Sequence, residues 1–138
     1  MATSFEEIYD VFLSQISDVE FIEMDTNDEF KYRYLLNSIA RFHSCKSNLK
    51  DRMDTEFTSE LTDQEVLILG LLMTVEYLSP KIISLKNLEQ AMSTRDFSIT
   101  SQAAHLKQLL DMKKDKQDEV ERLITYYSYA NSDLSRLR

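Results

Sequence analysis

Residues 62–78, TDQEVLILGLLMTVEYL, decide the fold of this chain. The run opens with a capping box, in which Thr62 and Glu65 can each bond to the backbone of the other. Asp63 adds a negative charge that suits the positive end of a helix dipole. From Val66 onward the segment is apolar on nearly every face, so no side of it suits water. It predicts a helix at the centre of a bundle or at an interface between subunits.

The composition favours a helical fold around this segment. Glycine and proline each occur once in 138 residues, and tryptophan is absent. So few turn-forming residues cannot supply a many-stranded sheet or a glycine-rich loop that cradles phosphates. Hydrophobic residues make up 43% and charged residues 29%, close to the averages of globular proteins. A single all-α domain is predicted, and sandwiches, barrels and nucleotide-binding folds are nearly excluded.

Two further helices are predicted before the central one, from capping signals and apolar residues at helical spacing. A Ser-x-x-Glu pattern at residues 4–7 begins a helix over about residues 5–17. A Thr-x-x-Glu pattern at residues 26–29 begins a second helix, which should end near Cys45. Residues 44–61 mix few apolar residues with Asn, Asp, Thr and Ser, and indicate a loop with at most one helical turn.

Beyond the central run, Pro80 predicts a kink or the start of a new helix, since proline at a first helical position loses no hydrogen bond. Phe97 and Ile99 alternate with polar residues and predict an extended connector. A long last helix should run from residue 100 or 101 to about Tyr127. The predicted fold is therefore a bundle of four or five helices over residues 1–127, followed by an extended arm over residues 128–138.

The negative charge is concentrated in the N-terminal half. The formal net charge is −8, of which residues 1–69 carry −9 and residues 70–138 carry +1. Such a surface repels phosphate and anionic lipid, so binding to nucleic acid or to a membrane surface is disfavoured. Three explanations of this concentrated negative charge stay open. It can form a solvated surface that keeps the protein soluble, a surface that binds a basic partner, or a surface that must not bind DNA. The candidate residues are Glu6, Glu7, Asp10, Asp18, Glu20 and Glu23.

No catalytic, metal or cofactor site is expected. Cys45 is the single cysteine, so no disulfide can form within the chain. His43 and Cys45 are two ligand types that would point to different sides of a helix, and a zinc ion needs four converging groups. Residues 25–29 are similar to part of a calcium loop but lack its glycine. The chain start lacks the pattern of a signal peptide, and no uncharged apolar run is long enough for a membrane span.

The end of the chain is a candidate interface. Three tyrosines occur close together, and tyrosine gives a large contact area at low entropy cost. They can close the core or anchor an interface, and the residues that follow them read as an arm. The candidate interface and arm residues are Tyr126, Tyr127, Tyr129, Leu134, Arg136, Leu137 and Arg138.

The sequence resembles a family of small helical proteins from tailed bacteriophages and prophages of Gram-positive bacteria, which are usually taken for structural proteins of the neck. The resemblance covers nearly the whole chain. The segments that carry it most specifically are Leu61-Thr62, Glu76-Tyr77-Leu78, Asp96-Phe97 with Ser101-Gln102-Ala103, and Tyr126-Tyr127.

This resemblance implies a head-to-tail adaptor in the virion neck, synthesised in the host cytoplasm. Its copies would form a ring, often of twelve, that docks beneath the portal protein, contacts a further neck or tail protein and continues the DNA channel. Such a protein needs no catalytic group, cofactor or membrane. A channel lined by carboxylates would let DNA pass without specific binding.

A different function stays open on the residues alone. A small acidic regulator or DNA mimic would occupy a basic partner surface and bind with a strong dependence on salt. Such a protein should be monomeric or dimeric, whereas an adaptor forms a ring. An enzyme is the third class, and no group of residues in the sequence supports one.

Overall fold

The computed structural model describes residues 2–16, 28–92, 94–98 and 101–130. Over these residues the chain forms five helices and one two-stranded antiparallel sheet, so the predicted all-α class is confirmed. In chain order the elements are β1 (Thr3–Ser4), α1 (Phe5–Ser14), α2 (Glu29–Arg41), β2 (Glu56–Phe57), α3 (Asp63–Ala91), α4 (Thr94–Ser98) and α5 (Ser101–Ala130).

Helix α3 forms the centre of the bundle. Of residues 65–78, all are buried except Val66, Leu67 and Glu76. Helices α1, α2 and α5 pack against it and cover most of the apolar side chains of its first half, whereas Ile83 and Leu88 farther along are exposed. By length and composition α3 could span a membrane, but 61% of its apolar window is buried in the bundle, as in the core helix of a globular protein.

The proline inside α3 does not end the helix. The sequence left a kink or a new helix open at this point, and Pro80 lies within the continuous span Asp63–Ala91, so no new helix begins there. Leu78 and Ile82, on either side of the proline, are both buried in the core. Packing on both sides therefore holds the backbone helical although Pro80 has no N–H to donate.

The single glycine marks the place where α1 crosses α3. A Cβ atom at Gly70 would lie 2.4 Å from Val11 Cγ1 and 2.7 Å from Val11 Cβ. The backbone nitrogen of Phe12 would be 3.3 Å away. Because glycine has no side chain, the two helices approach closely enough to bury Ile8 and Phe12 of α1 completely.

A short β-ribbon, which the sequence did not predict, joins the chain start to the loop before α3. Thr3 pairs with Phe57 and Ser4 pairs with Glu56. The Phe57 ring is fully buried and meets the Phe5 ring edge-on, with 4.9 Å between the centroids. The Leu61 amide donates to the Thr3 hydroxyl over 2.8 Å. The ribbon therefore fixes the start of α1 beside the start of α3.

The first two helices are shorter than the sequence predicted. Helix α1 ends at Ser14 instead of residue 17, and α2 ends at Arg41 instead of near Cys45. The N-cap residue of α2 is Asp28, which has a φ of 58° and makes no side-chain cap hydrogen bond. Glu29 is therefore the first residue of the helix and not the third, so the prediction of a capping box there was wrong. Thr26, the other residue of that predicted box, lies outside the described residues.

The predicted extended connector contains a short helix instead. Phe97 of α4 is buried as expected, and Ile99 lies outside the described residues. Helix α5 begins at Ser101 as predicted and continues to Ala130. Residues 128–130, which we expected to begin an extended arm, are therefore helical, and residues 131–138 lie outside the described residues.

Replacing the glycine at the crossing should destabilise the protein. In Gly70→Ala the new methyl group has no room, because Val11 Cβ belongs to a stiff side chain close to its own backbone. We expect the free energy of unfolding to fall by about 1–3 kcal/mol, measured by urea unfolding.

Val11→Ala in the Gly70→Ala background should restore part of that loss, since it removes the nearest atom, Val11 Cγ1. Additive effects of the two substitutions would contradict a steric origin.

Candidate functional site

A buried carboxylate lies at the start of α3. Glu65 is only 1% exposed. Its Oε1 accepts hydrogen bonds from the Thr62 amide at 2.8 Å and from the Ser47 hydroxyl at 2.8 Å. Its Oε2 accepts from the Tyr127 hydroxyl at 2.6 Å, the Cys45 thiol at 3.1 Å and the Ser47 amide at 3.3 Å. Five donors therefore satisfy one carboxylate, which meets the condition for burying a charge.

The charge of Glu65 is stabilised without a cation. Among the described residues no lysine, arginine or histidine forms an ion pair with it. The carboxylate instead lies in the first turn of α3, where the helix dipole favours negative charge. The hydrogen bond between Thr62 and Glu65 completes the capping box, which confirms that part of the sequence prediction.

Tyr127 connects the end of α5 to this carboxylate. Its ring is 2% exposed and meets the Phe42 ring edge-on, with 5.1 Å between the centroids. Its hydroxyl donates to Glu65 and accepts from the Lys46 amide at 2.6 Å. Of the two roles that the sequence left open for this tyrosine, core closure is therefore the one it has.

The pKa values follow from this arrangement. Burial raises the pKa of the Cys45 thiol to about 12, and the hydrogen bond to Glu65 adds to the rise. Burial and the hydrogen bond to Glu65 also raise the pKa of Tyr127 above its usual range. Burial alone would raise the pKa of Glu65, but the hydrogen bonds from Tyr127, Thr62, Cys45 and Ser47 outweigh it and lower the pKa to about 2.

At neutral pH the cluster therefore contains an ionised Glu65, a protonated thiol and a protonated phenol. A thiol needs its thiolate form to act as a nucleophile or as a metal ligand. Cys45 is held in the other form, and His43 is exposed in the loop that follows α2. Among the described residues, no group of three or more His, Cys, Asp or Glu side chains could hold a metal ion. The arrangement suits the anchoring of α5 on α3.

The other predicted interface residues separate into two groups. Tyr126 is 70% exposed and Tyr129 is 72% exposed. They are three residues apart, so they share one side of α5, away from Tyr127. The predicted arm residues Leu134, Arg136, Leu137 and Arg138 lie outside the described residues.

The predicted acidic surface is present on α1. Glu6, Glu7 and Asp10 are all exposed there. Asp18, Glu20 and Glu23 lie outside the described residues. The structure thus has an exposed acidic face on α1 and an exposed tyrosine pair on α5, and it assigns the first half of α3 to the core.

Comparison with known proteins assigns the chain to a protein family. The sequence model of the YomZ prophage protein family matches residues 1–128. The chain belongs to that family. A relative is the SPbeta prophage-derived uncharacterized protein YomZ of Bacillus subtilis (strain 168), which is 30% identical over 124 residues, 88% of this chain and 93% of that protein. No solved structure matches the chain significantly.

Membership of the YomZ family confirms the phage origin that the resemblance implied. The matched residues include the whole Glu65 cluster and Tyr126, and they end just before Tyr129. The family's description names a prophage protein and gives no neck role.

Sequence reasoning identified Glu65 only as a capping residue and missed its contact with Tyr127. These two residues are 62 positions apart, and no local pattern joins them. The available signal was indirect: Glu65 directly precedes an apolar run whose side chains must mostly be buried, so its carboxylate needed donors from elsewhere in the chain.

Removing the Tyr127 hydroxyl should destabilise the fold without altering its packing. In Tyr127→Phe, Glu65 loses its shortest hydrogen bond and the Lys46 amide loses its acceptor. We expect thermal or urea unfolding to show a loss of about 2–3 kcal/mol. The matched control is Tyr126→Phe, whose hydroxyl is on an exposed side chain and which should change stability by less than about 0.5 kcal/mol. Equal stabilities of the two variants would contradict a stabilising role of the hydrogen bonds that the Tyr127 hydroxyl makes.

Stability should also depend on pH through Glu65. Its pKa falls from 4.5 in the unfolded chain to about 2 in the folded chain. The unfolded state therefore binds the proton first as the pH falls, so the stabilisation is fully present above pH 4.5 and is lost between pH 4.5 and 2.

The Glu65→Gln variant isolates this contribution, because it removes the Glu65 carboxyl group and replaces no other titratable side chain. The difference in unfolding free energy between the two proteins should be constant above pH 4.5. Below that pH it should shrink by at most about 1.4 kcal/mol per pH unit. A difference that stays constant down to pH 3 would show that Glu65 is not the responsible group.

Proposed function

We propose that this chain is a structural virion protein of the phage neck: a head-to-tail adaptor whose copies form a ring beneath the portal protein and continue the DNA channel. The observation that carries the proposal is the exposed tyrosine pair, Tyr126 and Tyr129, on a firmly anchored helix. The family gives the phage context, and the sequence resemblance gives the neck.

The tyrosine pair has the properties of an interface anchor. Large aromatic side chains that are 70% and 72% exposed leave much apolar surface in contact with water. Tyrosine is enriched at the centres of protein interfaces, where its ring is covered and its hydroxyl finds a partner. A depression of about 980 Å³ extends from Tyr126 along the preceding turns of α5, where its other described lining residues, Arg122 and Asp118 among them, are charged or polar.

The Glu65 cluster supports the same use of α5. Tyr127 directly follows the first of the two exposed tyrosines, and its hydroxyl is fixed by two hydrogen bonds of 2.6 Å. These bonds therefore fix the rotation of the last turns of α5 about the helix axis, relative to α3. Side chains presented from a rigid element lose less entropy on binding, which favours a stable assembly.

The acidic face of α1 fits a protein through whose assembly DNA passes. Glu6, Glu7 and Asp10 are exposed on consecutive turns of that helix. Carboxylates offer DNA no counterion release and hence no attraction, so a lumen lined by them would not retain the passing duplex. In this proposal the protein acts without catalysis or cofactor, and its location is the virion neck after synthesis in the host cytoplasm.

The same acidic face favours the second candidate function, an acidic regulator or DNA mimic that covers a basic partner surface. The two functions differ in assembly. An adaptor needs the tyrosine pair and the portal, whereas a regulator needs the carboxylates and a basic protein, and its binding weakens steeply with added salt.

The experiment is light scattering during size-exclusion chromatography of the subunit, alone and with the portal protein of the same prophage. We expect a complex with portal that contains several copies of the subunit. Tyr126→Ser combined with Tyr129→Ser should weaken the complex at least about tenfold, because two anchors are lost. Met53→Ser, which changes a side chain that is 62% exposed elsewhere on the surface, is the matched control and should not.

Deletion of residues 131–138 tests the arm separately. It should reduce docking on the portal and leave the helical content unchanged by circular dichroism. A subunit that ignores the portal and instead binds a basic protein in low salt would establish the second function in place of the first.

A further inference from the structure

A second surface, away from the tyrosine pair, lies between the starts of α1 and α2 and the loop before β2. It is a depression of about 550 Å³. Ser4, Glu6, Asp28, Tyr32 and Asp54 are among the residues that line it. This volume lies within the range of protein sites that take up a small ligand or a side chain of a partner.

The floor of the depression is aromatic and rigid. Phe5 and Tyr9 are buried, and Tyr32 is partly buried. The Phe5 ring packs against both tyrosines, with centroid distances of 6.3 Å to Tyr9 and 6.1 Å to Tyr32. Because Phe5 is fixed in the core against Phe57, the site needs little reorganisation to receive a ligand.

Four carboxylates surround this floor, and only two of them are neutralised. Asp28 pairs with Lys31 over 2.6 Å, and Glu29 pairs with Arg33 over 3.2 Å. Within the described ranges, neither Glu6 nor Asp54 forms an ion pair. The depression therefore presents two uncompensated negative charges, which makes it complementary to a cation.

At one edge of the depression, Asp28 and Tyr9 already bind a cation of the same chain, the ammonium group of Lys31. The Lys31 ammonium lies 2.6 Å from an Asp28 carboxylate oxygen and 5.5 Å from the centroid of the Tyr9 ring. It is thus held by a carboxylate and an aromatic ring together, which is the arrangement of a cation–π contact. Glu6, Asp54 and the Tyr32 ring also line the depression and offer the same two kinds of group.

We propose that this depression binds an arginine side chain of a partner protein, with the guanidinium between Glu6 and Asp54 and against the Tyr32 ring. Arginine fits better than lysine because its planar fork can serve two carboxylates and stack on an aromatic ring at the same time. The proposal does not depend on ring formation, since all the groups belong to one subunit.

The test is an NMR titration of the isolated full chain at low ionic strength. The ligand is a short peptide whose only charged side chains are two arginines. We expect saturable shifts of the Tyr9 and Tyr32 ring signals and of the amides of residues 4–6 and 54–55. The same peptide with glutamines in place of the arginines should produce none. The lysine version should bind several-fold more weakly, because it cannot form the bidentate contact.

Two double variants decide whether the depression is the site. Glu6→Gln with Asp54→Asn should weaken arginine-peptide binding at least about tenfold, because both unpaired charges are removed. Glu7→Gln with Asp10→Asn removes the same charge from exposed positions of α1 and should leave the affinity unchanged. Equal weakening in both variants, or shifts spread over the whole acidic surface, would show general charge attraction and overturn the proposal.

Discussion

The buried carboxylate of Glu65 is the constraint on which the remainder of this structure depends. A charge inside a helical bundle requires donors, and here they come from the loop after α2, from the cap of α3 and from the last turns of α5. Three separate segments are thus fixed at one point. Because one carboxylate joins all three, it stabilises the fold and also sets how these elements align.

That alignment explains the division of the three tyrosines. Tyr127 is turned inward by Glu65, and helix geometry then turns Tyr126 and Tyr129 toward solvent. The proposed interface is therefore a consequence of the core and not an independent feature of the surface. The acidic depression has a similar origin, because the β-ribbon that buries Phe57 also brings Asp54 beside the first turn of α1.

The sequence predicted what periodicity and capping determine: the all-α class, the central position of the helix over residues 63–78 and the start of α5 at residue 100 or 101. It did not predict what depends on tertiary packing. Strands of two residues leave no alternation to detect, and Pro80 stays helical because Leu78 and Ile82 hold both sides. The candidate site was found in part, since the exposed tyrosines were named but the Glu65–Tyr127 contact joins residues 62 positions apart.

The order of the helices along the chain has a consequence for synthesis. Helix α3 is apolar on almost every side, and α5, which covers part of it, leaves the ribosome after it. Until Tyr127 has emerged, Glu65 lacks its shortest hydrogen bond and one face of α3 stays open to water. The bundle can therefore close only after α5 has been translated, and a product truncated before α5 would expose an apolar surface prone to aggregation.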